Sequence, residues 1–233
     1  MKLPSMLCLI FVAAAPAFAA EPPAEDGYTM QQTSDCLGEA QITVTKHALK
    51  EVTKRDGLVV VAKAPDWDVI FYNPKTKLVW KATLTNWHGR NPVGDIMDRE
   101  PNLIASHAPD KMFNGIKMSH IVANEKVPRH KQRGADYWYT KEFGLPQQLC
   151  TIVQRDYAMP PADGFPIEYD HIGGGVKITP LLTTNLQHKK IPASAFAVPD
   201  KMTRVNGTQM VMYSNNKERS GFVQELLDGM SSK

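Results

Sequence analysis

The strongest constraint on the fold is a two-residue alternation of apolar and polar side chains between residues 41 and 85. Trp67, Val69 and Phe71 fall on one side of such a run. This period is that of a β-strand with one buried face, because successive side chains point to opposite faces of a sheet. The segment 73–77, Asn-Pro-Lys-Thr-Lys, supplies turn residues. The pattern therefore predicts antiparallel hairpins. The other alternating apolar residues are Ile42, Val44, Leu58, Val60, Ala62, Ala64, Leu78, Trp80, Ala82 and Leu84.

The N-terminus has the features of an export signal. Lys2 precedes an apolar run, and Ala17-Phe18-Ala19 places small residues at the two positions that a signal peptidase reads. We predict that residues 1–19 are a signal peptide. The alternative, a membrane anchor, needs about 20 predominantly apolar residues, and this run is shorter. No other segment is apolar enough to span a bilayer, so we expect an exported, periplasmic protein without a transmembrane anchor.

Composition favours a globular protein after cleavage. Of the 233 residues, 42% are hydrophobic and 22% charged, which is enough to bury a core. The segment 20–35 is rich in Pro, Glu, Gln and Ser and is predicted to be a flexible N-terminal segment. Residues 36–233 are predicted to form a single β-rich domain. The formal charge of +3 gives no indication of nucleic-acid binding.

Cleavage would leave two cysteines, Cys36 and Cys150, in an oxidising compartment. We predict that they form a disulfide. Two separately buried thiols are the alternative. Neither cysteine belongs to a C-x-x-C motif and no histidine pair has zinc-finger spacing, so the sequence predicts no metal site.

The region 88–133 interrupts the alternation with several prolines and glycines. Met112, Phe113, Ile116 and His120 have helix-like spacing, which predicts one or two short helices there. Further along, the sequence predicts strands over residues 135–143, 148–157, 167–171 and 176–185, a Gly173-Gly174-Gly175 turn, a short strand at 210–213 and a helix at 221–230.

Three short motifs resemble exported proteins of the outer-membrane lipoprotein carrier superfamily, which are LolA/LolB-like. They are Trp67-Asp-Val-Ile-Phe-Tyr-Asn-Pro74, Leu182-Thr-Thr184 and Ile191-Pro-Ala-Ser-Ala-Phe-Ala-Val-Pro199. The resemblance spans residues 38–205. It implies an α+β fold that is mainly antiparallel β: a curved, incomplete barrel with a few helices covering its concave face. It also implies that acyl chains or another apolar ligand are held inside, with the region 88–133 as a helical cover.

Large adaptable side chains are the candidates to line such a cavity. The candidate ligand-binding residues are Trp80, Met97, Met112, Phe113 and Met118, and ordinary core packing is the alternative for each. No catalytic motif is present, and no cofactor is implied. Asp66 and Asp68 bracket Trp67 as a potential carboxylate pair, but a solvated strand end explains them equally well.

The sequence therefore predicts a non-catalytic envelope protein that binds a lipid or another hydrophobic small molecule. Two alternatives stay open. The first is an envelope scaffold or interaction protein with a filled core and a protein partner, and the second is a hydrolase with an unrecognised site. Ligand identity is not encoded in any motif of the chain.

Overall fold

A computed structural model describes residues 23–90, 103–125, 134–173 and 176–213 of the chain. The strands in these ranges are β1 (Glu25–Thr33), β2 (Ala40–Thr45), β3 (Ala48–Thr53), β4 (Val59–Lys63), β5 (Val69–Asn73), β6 (Leu78–Ala82), β7 (Leu103–Phe113), β8 (Ile116–Glu125), β9 (Gly134–Thr140), β10 (Phe165–Gly173), β11 (Val176–Ile191) and β12 (Thr203–Arg204). The helices are α1 (Gln147–Asp156) and α2 (Thr208–Tyr213), with 3-10 turns at Leu84–Asn86 and Ala193–Phe196. None of the helices in these ranges is long and apolar enough to cross a membrane.

The twelve described strands form one sheet in the order β12-β6-β5-β4-β3-β2-β1-β11-β10-β9-β8-β7. Neighbouring strands are antiparallel, except that β12 lies parallel to β6. The sheet is open, with β12 and β7 as its edges. This confirms the expectation of a mainly antiparallel α+β fold, a curved and incomplete barrel with a few helices.

The two faces of the sheet are closed in different ways. One apolar cluster covers the face on which α1 and α2 pack, here called the concave face. On the opposite, convex face, a smaller cluster on β4 and β5 is joined by Val198 and Met202 from the segment before β12. After β12 the chain returns to the concave face, where Val205 and Val211 join the larger cluster. Strands β4 and β5 are therefore buried on both faces.

The alternation correctly predicts β2, β4, β5 and β6. The expectation of a flexible segment over 20–35 is wrong for residues 25–33, because β1 lies between β2 and β11 inside the sheet. Tyr28 and Met30 contribute to the concave cluster, while polar residues alternate with them. A polar composition therefore conceals a strand with one apolar face.

Three further elements differ from the prediction. The sequence predicts a strand over residues 148–157, but they form α1, whose buried Leu149, Ile152 and Val153 have the spacing of one helix face. The expected helices near 112–120 are replaced by the β7–β8 hairpin. Residues 210–213 belong to α2 rather than to a strand. The predicted helix at 221–230 lies outside the described residues.

Candidate functional site

The concave face keeps accessible apolar surface beside the edge formed by β6 and β12. Leu78, Trp80 and Leu84 are partly buried and pack against the concave cluster, and we call them the aromatic margin. Below them, the ring centroid of buried Trp87 lies 6.0 Å from that of Trp80 and 6.3 Å from that of Phe71. These are distances at which aromatic rings attract each other.

Trp87 also joins this margin to α1. Its indole N–H donates a hydrogen bond to the Ile152 carbonyl at 3.2 Å. From the last turn of α1, the Arg155 guanidinium donates to the carbonyls of Leu84 and Trp87, the latter at 2.9 Å. A cation at this end of a helix also interacts favourably with the helix dipole. The 3-10 turn that carries Leu84 is thus fixed to the helix above the sheet.

A cluster of charged side chains lies next to Trp87 in the interior. We call Glu51, Arg90, Asp156 and Tyr157 the ionic cluster, and each is at most 4% exposed. The Arg90 Nε–H donates to both Asp156 carboxylate oxygens at 3.0 and 2.8 Å, and the Arg90 Nη2–H donates to Glu51. The Tyr157 hydroxyl donates to the same Glu51 oxygen at 2.9 Å. The cluster connects β3 to the end of α1.

Gly89 allows Arg90 to reach this position. Its φ of +90° is in the region that favours glycine, and a Cβ there would lie 2.2 Å from the Arg155 carbonyl oxygen. The close approach also lets the Arg90 backbone N–H donate to Asp156 at 2.9 Å. A side chain at position 89 would therefore push Arg90 away from the helix.

The electrostatics of the ionic cluster follow from two carboxylates sharing one guanidinium. Burial raises the pKa of Glu51 to about 7, and Asp156 adds to the rise while Arg90 opposes it. Burial by itself would lower the pKa of Arg90, but Asp156 and Glu51 outweigh burial and raise it. Burial also raises the pKa of Tyr157 well above its ordinary value. A neutral Glu51 leaves the Arg90–Asp156 pair with no net charge.

The structure separates the predicted ligand-binding residues into two regions. Trp80 lies in the aromatic margin, whereas Met112, Phe113 and Met118 lie on β7 and β8 at the other end of the strand order. Met118 is 1% exposed and belongs to the core, Phe113 is partly buried against the core, and Met112 is 64% exposed. Met97 lies outside the described residues. The four described candidates therefore do not share one strand hairpin.

The predicted disulfide is not present. Cys36 is an exposed free thiol in the turn between β1 and β2, and Cys150 is a buried free thiol on α1. Cys150 packs within the concave cluster, and burial raises its pKa to about 12. The prediction rested on an oxidising compartment, whereas α1 turns the Cys150 side chain into the apolar core and Cys36 is exposed in a turn.

The carboxylates that bracket Trp67 lie beside the turn between β4 and β5. Asp68 pairs with Lys81 of β6 at 2.8 Å, and Asp66 is exposed. These positions agree with the interpretation of Asp66 and Asp68 as a solvated strand end. In the described ranges, no group of three or more His, Cys, Asp or Glu side chains is placed to hold a metal ion.

Local sequence patterns did not identify the ionic cluster. Arg90 is separated from Glu51 by 39 positions and from Asp156 by 66, so only the tertiary fold joins them. No motif has that spacing. The one local signal was Gly89 directly before an arginine at the boundary where the alternation ends.

Comparisons with known proteins give matches among solved structures. No protein-family model matches the chain, and no curated protein is significantly similar to it. A solved structure of an uncharacterized conserved protein from Thermus thermophilus is 8% identical, with 78% of this chain and 90% of that chain covered and a TM-score of 0.45. The Mycobacterium tuberculosis lipoprotein LppX is 12% identical, with 78% and 90% covered and a TM-score of 0.30.

A LolA superfamily protein from Nitrosomonas europaea is also similar. It is 10% identical, with 76% of this chain and 92% of that chain covered and a TM-score of 0.29. These matches assign no role to any side chain of this protein.

Proposed function

We propose that this protein binds a hydrophobic, lipid-like ligand at the aromatic margin of its concave face, without catalysis. The supporting observation is that Leu78, Trp80 and Leu84 are partly exposed and yet continuous with the concave cluster. Each acyl methylene buried against such a surface contributes about 0.8 kcal/mol before ordering costs. A chain of about ten methylenes therefore contributes about 8 kcal/mol, which corresponds to a micromolar dissociation constant before those costs.

The ionic cluster supports a non-catalytic role for the charged groups of the concave face. Glu51, Asp156 and Tyr157 are bonded to Arg90 or to one another and are sealed from solvent. Groups held in this way connect β3 to α1 and do not reach a bound molecule. We assign them to stability rather than to chemistry.

The proposal places the protein in the cell envelope, in the periplasm. Its basis is the N-terminal signal, which predicts a mature N-terminus at Ala20 or Glu21. Intact-mass measurement of the exported protein tests this point. Retention of residues 1–19 would contradict the envelope location.

Ligand binding is tested with the neutral apolar dye N-phenyl-1-naphthylamine on delipidated protein. We expect saturable fluorescence enhancement, reversed by palmitate. Trp80→Asp should weaken dye binding at least tenfold, because an unpaired carboxylate beside an apolar ligand is costly to desolvate. Ile104→Asp is the matched control, since Ile104 is 57% exposed on β7 at the other end of the strand order. It should leave the affinity within twofold of wild type.

Thermal unfolding of each variant separates loss of binding from loss of fold. If Trp80→Asp unfolds, Leu84→Asp replaces it, because Leu84 lies on a short 3-10 turn rather than on a sheet strand. A folded wild type without saturable dye uptake refutes the proposal. If Ile104→Asp weakens dye binding as much as Trp80→Asp does, the aromatic margin is not the binding site.

A protein-interaction role is the second candidate, and the β7–β8 hairpin favours it. Met112 is 64% exposed at the end of β7, next to partly buried Phe113. Exposed apolar side chains on an edge hairpin suit a protein contact. Under this alternative, Met112→Asp abolishes capture of an envelope partner, while the wild type takes up no dye.

A further inference from the structure

A cavity lies on the convex face, away from the aromatic margin. It has a volume of about 200 Å³ and opens where β1, β2, β3, β4 and β11 end together. Ala48, Ile191 and Phe196 form its apolar wall, and they are a separate buried cluster from the concave one. Glu25, His47 and Lys63 lie at its polar side. We call this cavity the end pocket.

Two contacts shape the end pocket: Ile191 packs closely over Gly27, and Lys50 holds the 3-10 turn that carries Phe196. A Cβ on Gly27 would lie 2.7 Å from Ile191 Cδ1, so glycine at this position lets Ile191 lie over β1. The 3-10 turn that carries Phe196 is held by Lys50, whose Nζ donates to the Ala195 carbonyl at 3.1 Å. The apolar wall of the end pocket is therefore held in place by β1, β3 and the 3-10 turn without a ligand.

Of the charged groups at the polar side, Glu25 has a partner within the protein and Lys63 has no carboxylate partner among the described residues. His47 Nδ1 lies 3.0 Å from both carboxylate oxygens of Glu25, so this carboxylate already has a partner. No carboxylate among the described residues pairs with the Lys63 ammonium. The charge left to meet a ligand is thus positive, above a wall that is apolar.

We propose that the end pocket binds a small apolar carboxylate, a single aromatic ring or a short branched chain that bears one carboxyl group. A cavity of about 150 Å³ is enough to hold benzene, so 200 Å³ suits a ring with one substituent. The ring packs against Ile191 and Phe196, and the carboxylate accepts from the Lys63 ammonium. The inference is independent of ligand binding at the concave face.

The probe is benzoate, followed by chemical-shift changes in ¹H–¹⁵N spectra of the purified protein. We expect saturable changes confined to the end pocket, with a millimolar dissociation constant for so small a ligand. Benzyl alcohol tests the ring without the charge and should bind about tenfold more weakly. Benzylamine tests recognition by Glu25 instead and should bind no better than the alcohol.

Lys63→Met should weaken benzoate binding about tenfold and leave benzyl alcohol unchanged, because it removes a charge-assisted hydrogen bond but keeps the aliphatic stem. Lys75→Met, an exposed lysine on the β5–β6 turn, is the matched control and should have no effect. Ala193→Leu places extra volume in the pocket from an exposed position and should weaken both probes.

Three results would overturn the end-pocket proposal. The first is benzoate shifts that grow linearly without saturation or spread over the whole surface. The second is unchanged benzoate affinity in folded Lys63→Met protein. The third is tighter binding of benzylamine than of benzoate, which would make Glu25 the recognising group and the ligand a cation.

Discussion

The titration of Glu51 should make this protein less stable as the pH rises through neutrality. In the folded state its pKa is raised from the ordinary 4.5 to about 7. Between about pH 4.5 and pH 7, the folded protein therefore holds a proton on Glu51 that the unfolded chain has released. The contribution of this proton to stability is complete only below about pH 4.5. That contribution is lost as the pH passes 7. The difference between the pKa of Glu51 in the folded protein and its ordinary value corresponds to about 3 kcal/mol of unfolding free energy.

Urea unfolding at pH 5 and pH 8 measures this loss. Glu51→Gln copies the protonated side chain, so the free energy of unfolding of the wild type should fall by about 2 to 3 kcal/mol more than that of the variant. Glu39→Gln is the matched control, because Glu39 is exposed and its pair with Lys54 lies at the surface. It should follow the wild type at both pH values. An equal fall in wild type and Glu51→Gln would refute the assignment of a raised pKa to Glu51.

Three other perturbations test the structure. Arg90→Met should cost about 3 to 5 kcal/mol at pH 8, because it leaves buried carboxylates without their cation; a loss below about 1 kcal/mol in urea unfolding would contradict this. Gly27→Ala should cost about 1 to 3 kcal/mol, since its Cβ would lie 2.3 Å from a backbone oxygen, and an unchanged midpoint would count against the packing described. Cys36 should react with a thiol reagent in the native protein and Cys150 only after unfolding, whereas peptide mapping that finds the two cysteines linked would show that the thiols are not free.

The strands were predictable where large apolar residues recur at every second position between turn residues, as in β5 and β6. In the β5–β6 hairpin, the Asn73 side-chain oxygen accepts from the backbone N–H of Lys75 at 3.0 Å, as its turn sequence indicates. The β7–β8 hairpin also had a local signal that was missed. Asn114 and Gly115 both have positive φ, and Asn-Gly is the preferred pair for a two-residue hairpin turn.

The errors have two physical origins. A register shift between Ala108 and Lys111 interrupts the alternation along β7, so its period of two is broken where a helix was predicted. In α1, by contrast, the helical spacing of Leu149, Ile152 and Val153 was present in the sequence and indicates a helix rather than the predicted strand. The ionic cluster depends on contacts between distant segments and had no local pattern. The aromatic margin was anticipated only through Trp80.

The most direct test of hydrophobic ligand binding is native mass spectrometry of the protein purified from its own host without detergent. If the protein binds a hydrophobic ligand, the spectrum should contain adducts whose released mass is that of a lipid or fatty acid. They should be retained in Ile104→Asp protein and lost in folded Trp80→Asp protein. A spectrum of the wild type that holds only the bare chain, together with no uptake of added palmitate, would contradict hydrophobic ligand binding.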